Sequence, residues 1–493
     1  MNKGMYECLK AYADSDFYPF HMPGHKRNPE SGAFAGFYGM DITEIDGFDN
    51  LHQPESLIRD AQTRAAGLYH SEETFFLVNG STAGILSAIS AISVRADRLI
   101  IARNCHRAVY HAAFLNHLKL YYLYPDVMED YDIAGPVRPE QLKKLIEDIL
   151  SEDGTEGKNA SELIAGVVIT SPTYDGITSD AGEFARTAHE YGIPLIVDQA
   201  HGAHFGMHPS YPPNAVAEGA DMVIHSVHKT LPAPTQTALI HRNGNLTDGG
   251  LLRKYLRIYQ SSSPSYLLMA GIDEAIRLTA DEGAERLEKL LRLRQELLHK
   301  LKGCRCIRVC PDTEPGKLVI SVKGTSMTGQ MLYDVLREKY HLQMEMASGS
   351  YVLAILTMMD NESGFQRLLS ALLEIDETLS QNQQVCSLPD LNLHPKVKMD
   401  LREAYLAPCR EVELSAARGL TAAEFVNLYP PGIPILVPGE EVSNKIIETI
   451  ESYREHGYTV QGINKNKIKT VKLKNDRRVY EENKNYMYHW TIQ

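Results

Sequence analysis

The sequence predicts an α/β protein built on a mostly parallel β-sheet that is covered by helices. From about residue 56 onward, short apolar and β-branched runs alternate with longer amphipathic stretches. Most of these runs end in a turn signal before the next amphipathic stretch begins. The predicted strands are TFFLVNG at 74–80, RLIIAR at 98–103, LYYLYP at 120–125, IAGVVITSP at 164–172, IPLIVDQA at 193–200 and DMVIHSV at 221–227. Ligands of such sheets bind beyond the carboxyl ends of the strands, so the residues after these runs are the candidates for a site.

Composition narrows the class of protein further. The chain has 493 residues, of which 43% are hydrophobic and 23% charged, as in a globular protein with room for about three domains of ~150 residues. With 50 Lys plus Arg against 63 Asp plus Glu, the net charge of −13 disfavours nucleic-acid binding and favours a small-molecule partner. The N-terminal segment has no apolar signal region and no window offers the roughly 20 apolar residues of a membrane span, so we expect a cytoplasmic protein.

The cysteines and histidines do not form a recognisable metal motif. Seven cysteines, an odd number, argue against a disulfide framework and for reduced thiols. The cluster CRCIRVC at Cys304, Cys306 and Cys310 lacks a fourth metal ligand and alternates like a strand, which predicts buried or half-buried strand cysteines. No HExxH or similar spacing links the histidines to zinc, so we expect no metal.

The first predicted strand is followed by NGSTAGILSAISAI, a helix start rich in small residues. Free N–H groups and the positive end of the helix dipole can bind an anion there, with Gly80, Ser81 and Thr82 as the candidate phosphate site. The alternative is an ordinary helix cap, since Ser and Thr are also preferred capping residues. The segment fits neither GxxxxGK[ST] nor GxGxxG, so nucleotide binding has little support.

Three further strand ends carry polar side chains. After the second run, His106 could stack on a planar ligand, although a core or capping histidine is the alternative. After the fifth run, Asp198 needs a cationic partner because a carboxylate desolvated at a strand end is otherwise costly. That partner could be a metal shared with His201 and His204, or a cationic ring nitrogen of a cofactor. The sixth run is followed by the group Ser226, His228 and Lys229.

Together these positions suggest pyridoxal 5'-phosphate as the cofactor. The helix start would hold the phosphate, His106 would stack on the ring, Asp198 would keep the ring nitrogen protonated, and Lys229 would form a Schiff base. The alternative is an unrelated α/β enzyme in which these residues have separate roles.

The sequence resembles the bacterial Orn/Lys/Arg decarboxylase family of fold type I pyridoxal-phosphate enzymes, especially its short arginine decarboxylases of the biosynthetic kind. The matching stretches cover nearly the whole chain and include FHMPGHKRN at 20–28, DGFDNLHQP at 46–54, FFLVNGSTAG at 75–84, SPTYDG at 171–176, VDQAHGAHF at 197–205, SVHKTLPAPTQ at 226–236, SSSPSYLLMA at 261–270 and YPPGIPILVPGE at 429–440. The resemblance implies an aspartate aminotransferase-like major domain with a mostly parallel sheet, a small α+β domain and a C-terminal α+β domain. The predicted bounds are an N-terminal arm 1–55, the major domain 56–275, the small domain 276–378, a linker 379–395 and the C-terminal domain 396–493.

The resemblance also implies roles for individual residues. Lys229 is the Schiff-base lysine, Asp198 is the partner of the ring nitrogen, and His106 stacks on the ring. The implied cofactor-binding set is Gly80, Ser81, Thr82, His106, Asp198, Ala200, Ser226, His228, Lys229 and Ser262, with His106, Asp198, His228 and Lys229 as the catalytic residues. Ser262 would reach the phosphate of a neighbouring subunit, which predicts a homodimer or higher homo-oligomer. Gln199 and Ser262 depart from the residues more usual in the family, an acidic residue and a threonine.

The implied reaction is α-decarboxylation of a basic amino acid, with arginine giving agmatine and carbon dioxide. Lysine or ornithine, giving cadaverine or putrescine, are the alternatives. A same-fold aminotransferase or aldolase and a catalytically silent regulatory homologue are the rival functions. The carboxylate that binds the distal cation of the substrate cannot be chosen from the sequence, although Glu411, Asp46 and Asp49 are candidates.

The remaining patterns concern packing. LEKLLRLRQELLHKL at 287–301 has the apolar stripe of a core helix, and KLVISVKG and YVLAILTMM are predicted strands of the small domain. YPPGIPILVPGE argues against helix and for a turn-rich segment. The basic run at 464–478 is predicted to be a solvated face or strand rather than a nucleic-acid site.

Overall fold

The structure, a computed structural model, describes residues 3–381, 393–429, 433–455 and 458–472. The chain divides into two units, Met1–Ser387 and Leu388–Gln493. The boundary between the units falls inside the predicted linker 379–395. Most of that linker, residues 382–392, lies outside the described residues, and the domain bounds stay predictions.

The helices of the first unit include both short turns and one very long helix. They are α1 (Met5–Ala13), α2 (Ala35–Tyr38), α3 (Leu57–Tyr69), α4 (Gly80–Ile92), α5 (Arg107–Leu115), α6 (Pro139–Leu150), α7 (Ala160–Leu163), α8 (Ala181–Glu190), α9 (Val227–Thr230), α10 (Gly249–Tyr259), α11 (Tyr266–Leu301), α12 (Gly329–Glu338) and α13 (Glu362–Thr378).

The strands of the first unit form a large sheet, a smaller sheet and a short pair. They are β1 (Glu73–Leu77), β2 (Arg98–Ala102), β3 (Lys119–Leu123), β4 (Val127–Met128), β5 (Ile133–Ala134), β6 (Ile164–Thr170), β7 (Leu195–Asp198), β8 (Met222–His225), β9 (Ala238–Arg242), β10 (Arg308–Val309), β11 (Lys317–Ser321), β12 (Met346–Ser348) and β13 (Tyr351–Ile355).

The large sheet has seven strands in the order β1-β9-β8-β7-β6-β2-β3. The pairings of β3, β2, β6, β7 and β8 are parallel, whereas β9 runs antiparallel to both β8 and β1. The prediction of a mostly parallel α/β sheet is confirmed, as are the predicted strand runs. Strand β9 was missed, because ALIHR at 238–242 follows a Pro-rich turn with no amphipathic helix before it.

Helix α4 packs directly on this sheet, which fixes the position of its first turn. Its inner face is buried along Ala83–Ile92. A Cβ added at Gly84 would lie 2.6 Å from Cδ1 of Leu77 and 3.3 Å from Cγ2 of Ile224. The close approach therefore needs a residue without a side chain, and it holds the start of α4 beside the ends of β1 and β8.

A smaller antiparallel sheet, in the order β10-β11-β13-β12, follows the long helix α11. KLVISVKG and YVLAILTMM supply β11 and β13, as predicted. The stripe at 287–301 is core, since Leu287, Leu290, Leu291, Leu297 and Leu301 are buried. The predicted domain boundary at residue 275 falls within α11, which continues unbroken across it.

The cysteine cluster was only partly predicted. Cys306 and Cys310 are buried and Cys304 is half-buried, as expected. None of the three lies in a strand, because β10 spans only Arg308–Val309, so the strand prediction was wrong for them.

The second unit contains the helices α14 (Leu401–Leu406) and α15 (Asn444–Glu455) and the strands β14 (Cys409–Glu413), β15 (Val426–Tyr429), β16 (Ile433–Leu436), β17 (Thr459–Gln461), β18 (Ile463–Asn464) and β19 (Lys467–Val471). They form two antiparallel sheets, β14-β19-β18 and β16-β15-β17. The described part of the segment at 429–440 contains no helix, as predicted, and has strand β16 followed by a turn. In the basic run, exposed Lys467 and Lys469 alternate with buried Ile468 and Thr470, which confirms a solvated strand as far as residue 472. Residues 473–478 of that run lie outside the described residues.

Among the described residues, no helix combines the length and the apolar character that a membrane span requires.

Candidate active site

Lys229 stands at the centre of a cluster at the carboxyl edge of the large sheet. It lies in the one-turn helix α9, directly after β8, and its side chain is half-buried. Its Nζ lies 3.0 Å from Nε2 of His201. Burial lowers the pKa of Lys229 below its ordinary value, while the carboxylates of Asp198 and Glu345 act in the opposite direction. A lysine whose ammonium form is disfavoured in this way is suited to nucleophilic chemistry.

Asp198 is the last residue of β7, the strand next to β8, and is buried. The N–H of Ala200 donates a 3.2 Å hydrogen bond to its Oδ1. Burial raises the pKa of Asp198, and the charge of Lys229 and the Ala200 hydrogen bond oppose that increase. One backbone donor does little to replace the water that the carboxylate has lost, so this position still favours a cation.

The start of α4 provides a place for an anion. The helix begins at Gly80, whose φ of 75° favours glycine, and the preceding residue Asn79 makes no side-chain capping bond. Instead, Oδ1 of Asn79 accepts a hydrogen bond from the N–H of Ser261 at 3.2 Å. Neither Ser81 nor Thr82 is the cap, so the alternative of a Ser or Thr cap is wrong.

Ser226 lies between β8 and α9 and is buried. Within the described residues, its Oγ has no hydrogen-bond partner. A buried hydroxyl left without a partner costs free energy, which a phosphate oxygen bound there would recover. The hydroxyl and the uncapped helix start therefore fit the phosphate of the predicted cofactor.

His106 caps helix α5, with Nδ1 accepting a 3.2 Å hydrogen bond from the N–H of Ala108. Protein atoms crowd the imidazole although solvent still reaches it, as in a residue that lines an open cleft. Burial, with further contributions from Lys229, Arg107 and His111, lowers the pKa of His106 to about 4. The ring is therefore neutral near pH 7, as a ring that stacks on a cationic cofactor should be. The capping alternative is therefore observed, and stacking of His106 on a ligand stays a prediction.

Two other predicted residues lie beside Lys229. His228 is half-buried and its Nδ1–H donates to the carbonyl oxygen of Thr237 at 2.9 Å. Ala200 is buried immediately after the Asp198 strand end. A small side chain at that point leaves room for a flat ligand against the strand.

The structure adds residues that the sequence did not single out. Lys317, at the start of β11, is fully buried, and its Nζ lies 2.9 Å from Nδ1 of His201. The ring of Tyr174 makes an edge contact with His201, with centroids 4.7 Å apart, and the Tyr174 hydroxyl donates to Glu345. His201 was considered only as a metal ligand, and nothing local in the sequence marks Lys317 or Glu345 as its neighbours.

The metal alternative for Asp198, His201 and His204 finds no geometric support. His201 lies between two lysines, and His204 Nε2 pairs with Glu314 at 3.1 Å in a buried contact. In the part of the chain that the structure describes, no group of three His, Cys, Asp or Glu side chains could hold a metal ion.

Asp49, one candidate for binding the distal cation of the substrate, and Ser262 lie in different environments. The carboxylate of Asp49 accepts hydrogen bonds from the N–H groups of Glu55, Ser56 and Ile58 at 2.9 to 3.0 Å, so it is already used at the start of α3. Ser262 is exposed, and the adjacent Ser261 contacts Asn79 of the same chain.

A second row of hydrogen bonds supports the loop after β7. His225 Nε2 lies 2.9 Å from Oε1 of Gln199, His225 Nδ1 lies 3.0 Å from Nε2 of His241, and His241 Nδ1 lies 2.7 Å from Oγ1 of Thr74. Because Oε1 only accepts, His225 must donate from Nε2, and the other hydrogens of the row follow in order. Gln199, one of the departures from the resembled family, therefore has a structural role next to Asp198.

The comparisons with known proteins agree with this fold. The structure superposes on that of the lysine decarboxylase LdcF of Francisella novicida with a TM-score of 0.81 and 20% sequence identity. The match covers 95% of this chain and 81% of LdcF. It also superposes on a NifS-like protein of Rickettsia africae with a TM-score of 0.52 and 17% identity, and this match covers 76% of the present chain and 95% of the other. At these identities the likeness shows the shared fold.

The family follows from the sequence matches. Residues 3–359 match the model of the Orn/Lys/Arg decarboxylase major domain, and residues 380–481 match that of the C-terminal domain. An arginine decarboxylase of Bacillus subtilis is 31% identical over 93% of this chain and 95% of its own length. The chain belongs to the Orn/Lys/Arg decarboxylase family and is a decarboxylase, which confirms the resemblance.

The row through His225 and His241 predicts how stability depends on pH. Burial lowers the pKa of His241 to about 3 and that of His225 well below its usual range. Below about pH 6.5 these two histidines bind protons in the unfolded chain but stay neutral in the folded one. Their contribution to the stability of the folded state is therefore fully present above about pH 6.5 and is lost as the pH falls toward about 3. We expect His241→Gln to lower the urea midpoint at about pH 7.5. When the pH is lowered from about 7.5 to about 5.5, the free energy of unfolding of the variant should decrease by about 1.4 kcal/mol less than that of the parent protein.

The matched control for this measurement is His117→Asn, at an exposed turn position, which should keep the parent pH dependence. A His241→Gln protein with the same loss of stability as the parent would show that this buried ring is not responsible.

Proposed function

We propose that this decarboxylase uses pyridoxal 5'-phosphate to remove the α-carboxylate of arginine, giving agmatine and carbon dioxide. The observation that carries the proposal is that buried Asp198 and half-buried Lys229 lie at neighbouring strand ends, near the Ser226 hydroxyl, which has no hydrogen-bond partner in the described part of the chain. Asp198 matches a cationic ring nitrogen, Lys229 matches the aldehyde, and Ser226 with the start of α4 matches the phosphate. Membership of the Orn/Lys/Arg decarboxylase family and the structural likeness to a lysine decarboxylase support pyridoxal 5'-phosphate as the cofactor.

The bound cofactor would supply an electron sink for the pair of electrons left when carbon dioxide departs. Lys229 would hold the cofactor covalently and then release it to the amino group of the substrate. Asp198 would keep a proton on the ring nitrogen, and neutral His106 would pack against the ring. Gly80, Ser81, Thr82 and Ser226 would bind the phosphate.

The final step returns a proton to the α-carbon. Lys229 and His228 are the groups proposed to deliver it, because they are adjacent on α9 and face the edge of the sheet where Asp198 ends. Binding would also remove water from the substrate carboxylate, which would disfavour its localised charge relative to the dispersed charge of the transition state.

Arginine is favoured over lysine and ornithine by the names of the relatives that match along their whole length. The Bacillus subtilis and Bacillus anthracis proteins that carry the name arginine decarboxylase cover 93% and 95% of this chain. The lysine decarboxylase LdcA of Pseudomonas aeruginosa covers 59%. Lysine and ornithine remain the alternative substrates.

The direct test is to supply pyridoxal phosphate and arginine, lysine or ornithine separately, and to identify the amine by mass. We expect agmatine as the main product, and none of it from Lys229→Ala, because that variant lacks the group that binds and releases the cofactor. Lys323→Ala, which removes a lysine bonded to Asp132 at 2.6 Å, is the control and should keep the activity.

Cadaverine or putrescine as the main product would correct the substrate and leave the reaction in place. A keto acid, or no amine from any of the three substrates, would contradict the proposed reaction.

We also propose that the active site is completed in a homodimer. Ser262 is exposed on one chain, and family resemblance places the matching segment at the phosphate of a neighbouring subunit. Exposure keeps the Ser262 hydroxyl available to a second copy of the chain, and the contact of Ser261 with Asn79 keeps the segment near the start of α4.

Shared sites can be tested by mixing two inactive variants. Ser262→Asp would place a negative charge against the phosphate, and Lys229→Ala removes the covalent lysine. In a mixed dimer the site that takes Lys229 from one chain and Ser262 from the other is intact. After unfolding and refolding together, an equal mixture should therefore recover about a quarter of the parent activity.

The unmixed variants, refolded alone in the same way, are the controls. A mixture no more active than the average of the two would show that Ser262 serves the site of its own chain.

A further inference from the structure

Three side chains form a row that leads from Lys229 into the interior of the protein. Nζ of Lys229 lies 3.0 Å from Nε2 of His201, and Nζ of Lys317 lies 2.9 Å from Nδ1 of the same ring. His201 is 6% exposed and Lys317 is 0% exposed. The row therefore joins the reactive lysine to a second lysine that solvent does not reach.

The hydrogen-bonding capacity of imidazole limits how many protons this row can carry. A neutral imidazole has one nitrogen that donates and one that accepts, and an imidazolium donates from both. A lysine that faces an N–H must be a neutral amine, and a lysine that faces a bare nitrogen must donate to it. Because a neutral amine can also donate, an arrangement that keeps both hydrogen bonds carries at most one proton in excess, and the two lysines cannot both be ammonium groups.

The surroundings decide among these arrangements. Burial and the charges of both lysines lower the pKa of His201 well below its ordinary value, with smaller contributions from His106 and His228, so the ring stays neutral. When the row holds one proton in excess, that proton therefore lies on one of the two lysines.

The second lysine can take and release a proton near neutral pH. Burial lowers the pKa of Lys317 to about 8, and the Lys229 charge acts in the same direction, whereas Glu314, Asp175 and Glu345 oppose it. The ring of Tyr174 also faces this ammonium, with its centroid 5.6 Å from Nζ. On the other side, Asp198 and Glu345 attract the proton to Lys229. Carboxylates therefore favour a proton at both ends of the row.

We propose that Lys229, His201 and Lys317 form a proton relay in which Lys317 is the buried store for the proton that Lys229 gives up. In the transfer, the ammonium of Lys229 gives a proton to Nε2 of His201, and Nδ1 gives its own proton to Nζ of Lys317. The imidazole changes tautomer, the total charge is unchanged, and no proton is exchanged with solvent. Lys317 acts through His201 and is a positioning residue.

The relay suits the two demands on Lys229, a use that rests on the proposed function. Lys229 must be neutral to attack the cofactor aldehyde, and it must carry a proton to act as an acid at the α-carbon. A store two hydrogen bonds away provides both forms without exchange of a proton with solvent.

The test is trace acetylation of lysines in the cofactor-free chain with acetic anhydride at a series of pH values. The peptide that contains Lys229 is then quantified by mass spectrometry, which reports its neutral fraction. In Lys317→Met no side chain can store the proton, so Lys229 keeps it. We expect acetylation of Lys229 at about pH 7 to fall by about tenfold or more, the effect of one pKa unit.

Lys317→Arg gives the opposite expectation, which separates a relay from a merely structural role. Arginine is always charged and donates to Nδ1, so it would hold Lys229 in the neutral form. Acetylation of Lys229 should then equal or exceed that of the parent. His201→Phe should reproduce the fall, and adding Lys317→Met to it should lower acetylation no further.

Lys323→Met is the matched control, because it removes a lysine just beyond β11 that is bonded to Asp132, and it should leave Lys229 unchanged. Far-UV circular dichroism verifies that each variant is folded, and Lys317→Gln replaces the Met variant if that one is not. The relay would be overturned if Lys229 were acetylated equally in the parent and in Lys317→Met. It would also be overturned if acetylation of Lys229 fell in both Lys317→Met and Lys317→Arg. Failure of the proposed function is distinct, because it would appear as absence of amine with the acetylation pattern intact.

Discussion

The desolvated carboxylate of Asp198 is the constraint on which the site depends. A buried carboxylate at a strand end is stable only if a cation offsets the lost hydration. Lys229 supplies positive charge from the next strand, yet the same burial disfavours its ammonium form. A protonated ring nitrogen would offset the remaining negative charge of Asp198, so the site would favour the proposed cofactor in the charge state that the chemistry needs.

The scaffold holds this arrangement through two hydrogen-bonded rows, each of which includes a residue of the loop after β7. One row runs from Gln199 through His225 and His241 to Thr74, across strands β8, β9 and β1. The side-chain carbonyl oxygen of Gln199 can only accept, so it fixes the direction of every hydrogen bond in this row. The row from Lys229 through His201 to Lys317 has no such fixed end, because each lysine can donate or accept. Rigid support and proton exchange therefore come from neighbouring residues of one loop.

The sequence predicted those features that local patterns encode. Apolar runs identified the parallel strands, and strand ends led to His106, Asp198, Ser226 and Lys229, because in a parallel sheet these ends share one edge. Strand β9 was missed because an antiparallel strand after a Pro-rich turn breaks the alternation. The strand assigned to the cysteine cluster was wrong because alternation over a few residues does not ensure pairing.

The contacts that were not predicted depend on long separations in the chain. Lys317 meets His201 across 116 residues, and its strand is simply apolar in sequence, with one lysine at its start. A buried lysine cannot be told from a solvated one without knowing what packs on it. Glu345 likewise gains meaning only from Tyr174 and the nearby lysines. Local sequence therefore identifies the residues proposed to bind the cofactor, whereas the groups that affect their protonation can be found only from the fold.

The most direct measurement is to locate the covalent bond between cofactor and protein. The chain is loaded with pyridoxal phosphate, reduced with borohydride and digested, and the modified lysine is identified by mass spectrometry. The account predicts a single modified residue, Lys229. Modification of Lys317 or of another lysine in its place, with Lys229 unmodified, would contradict it.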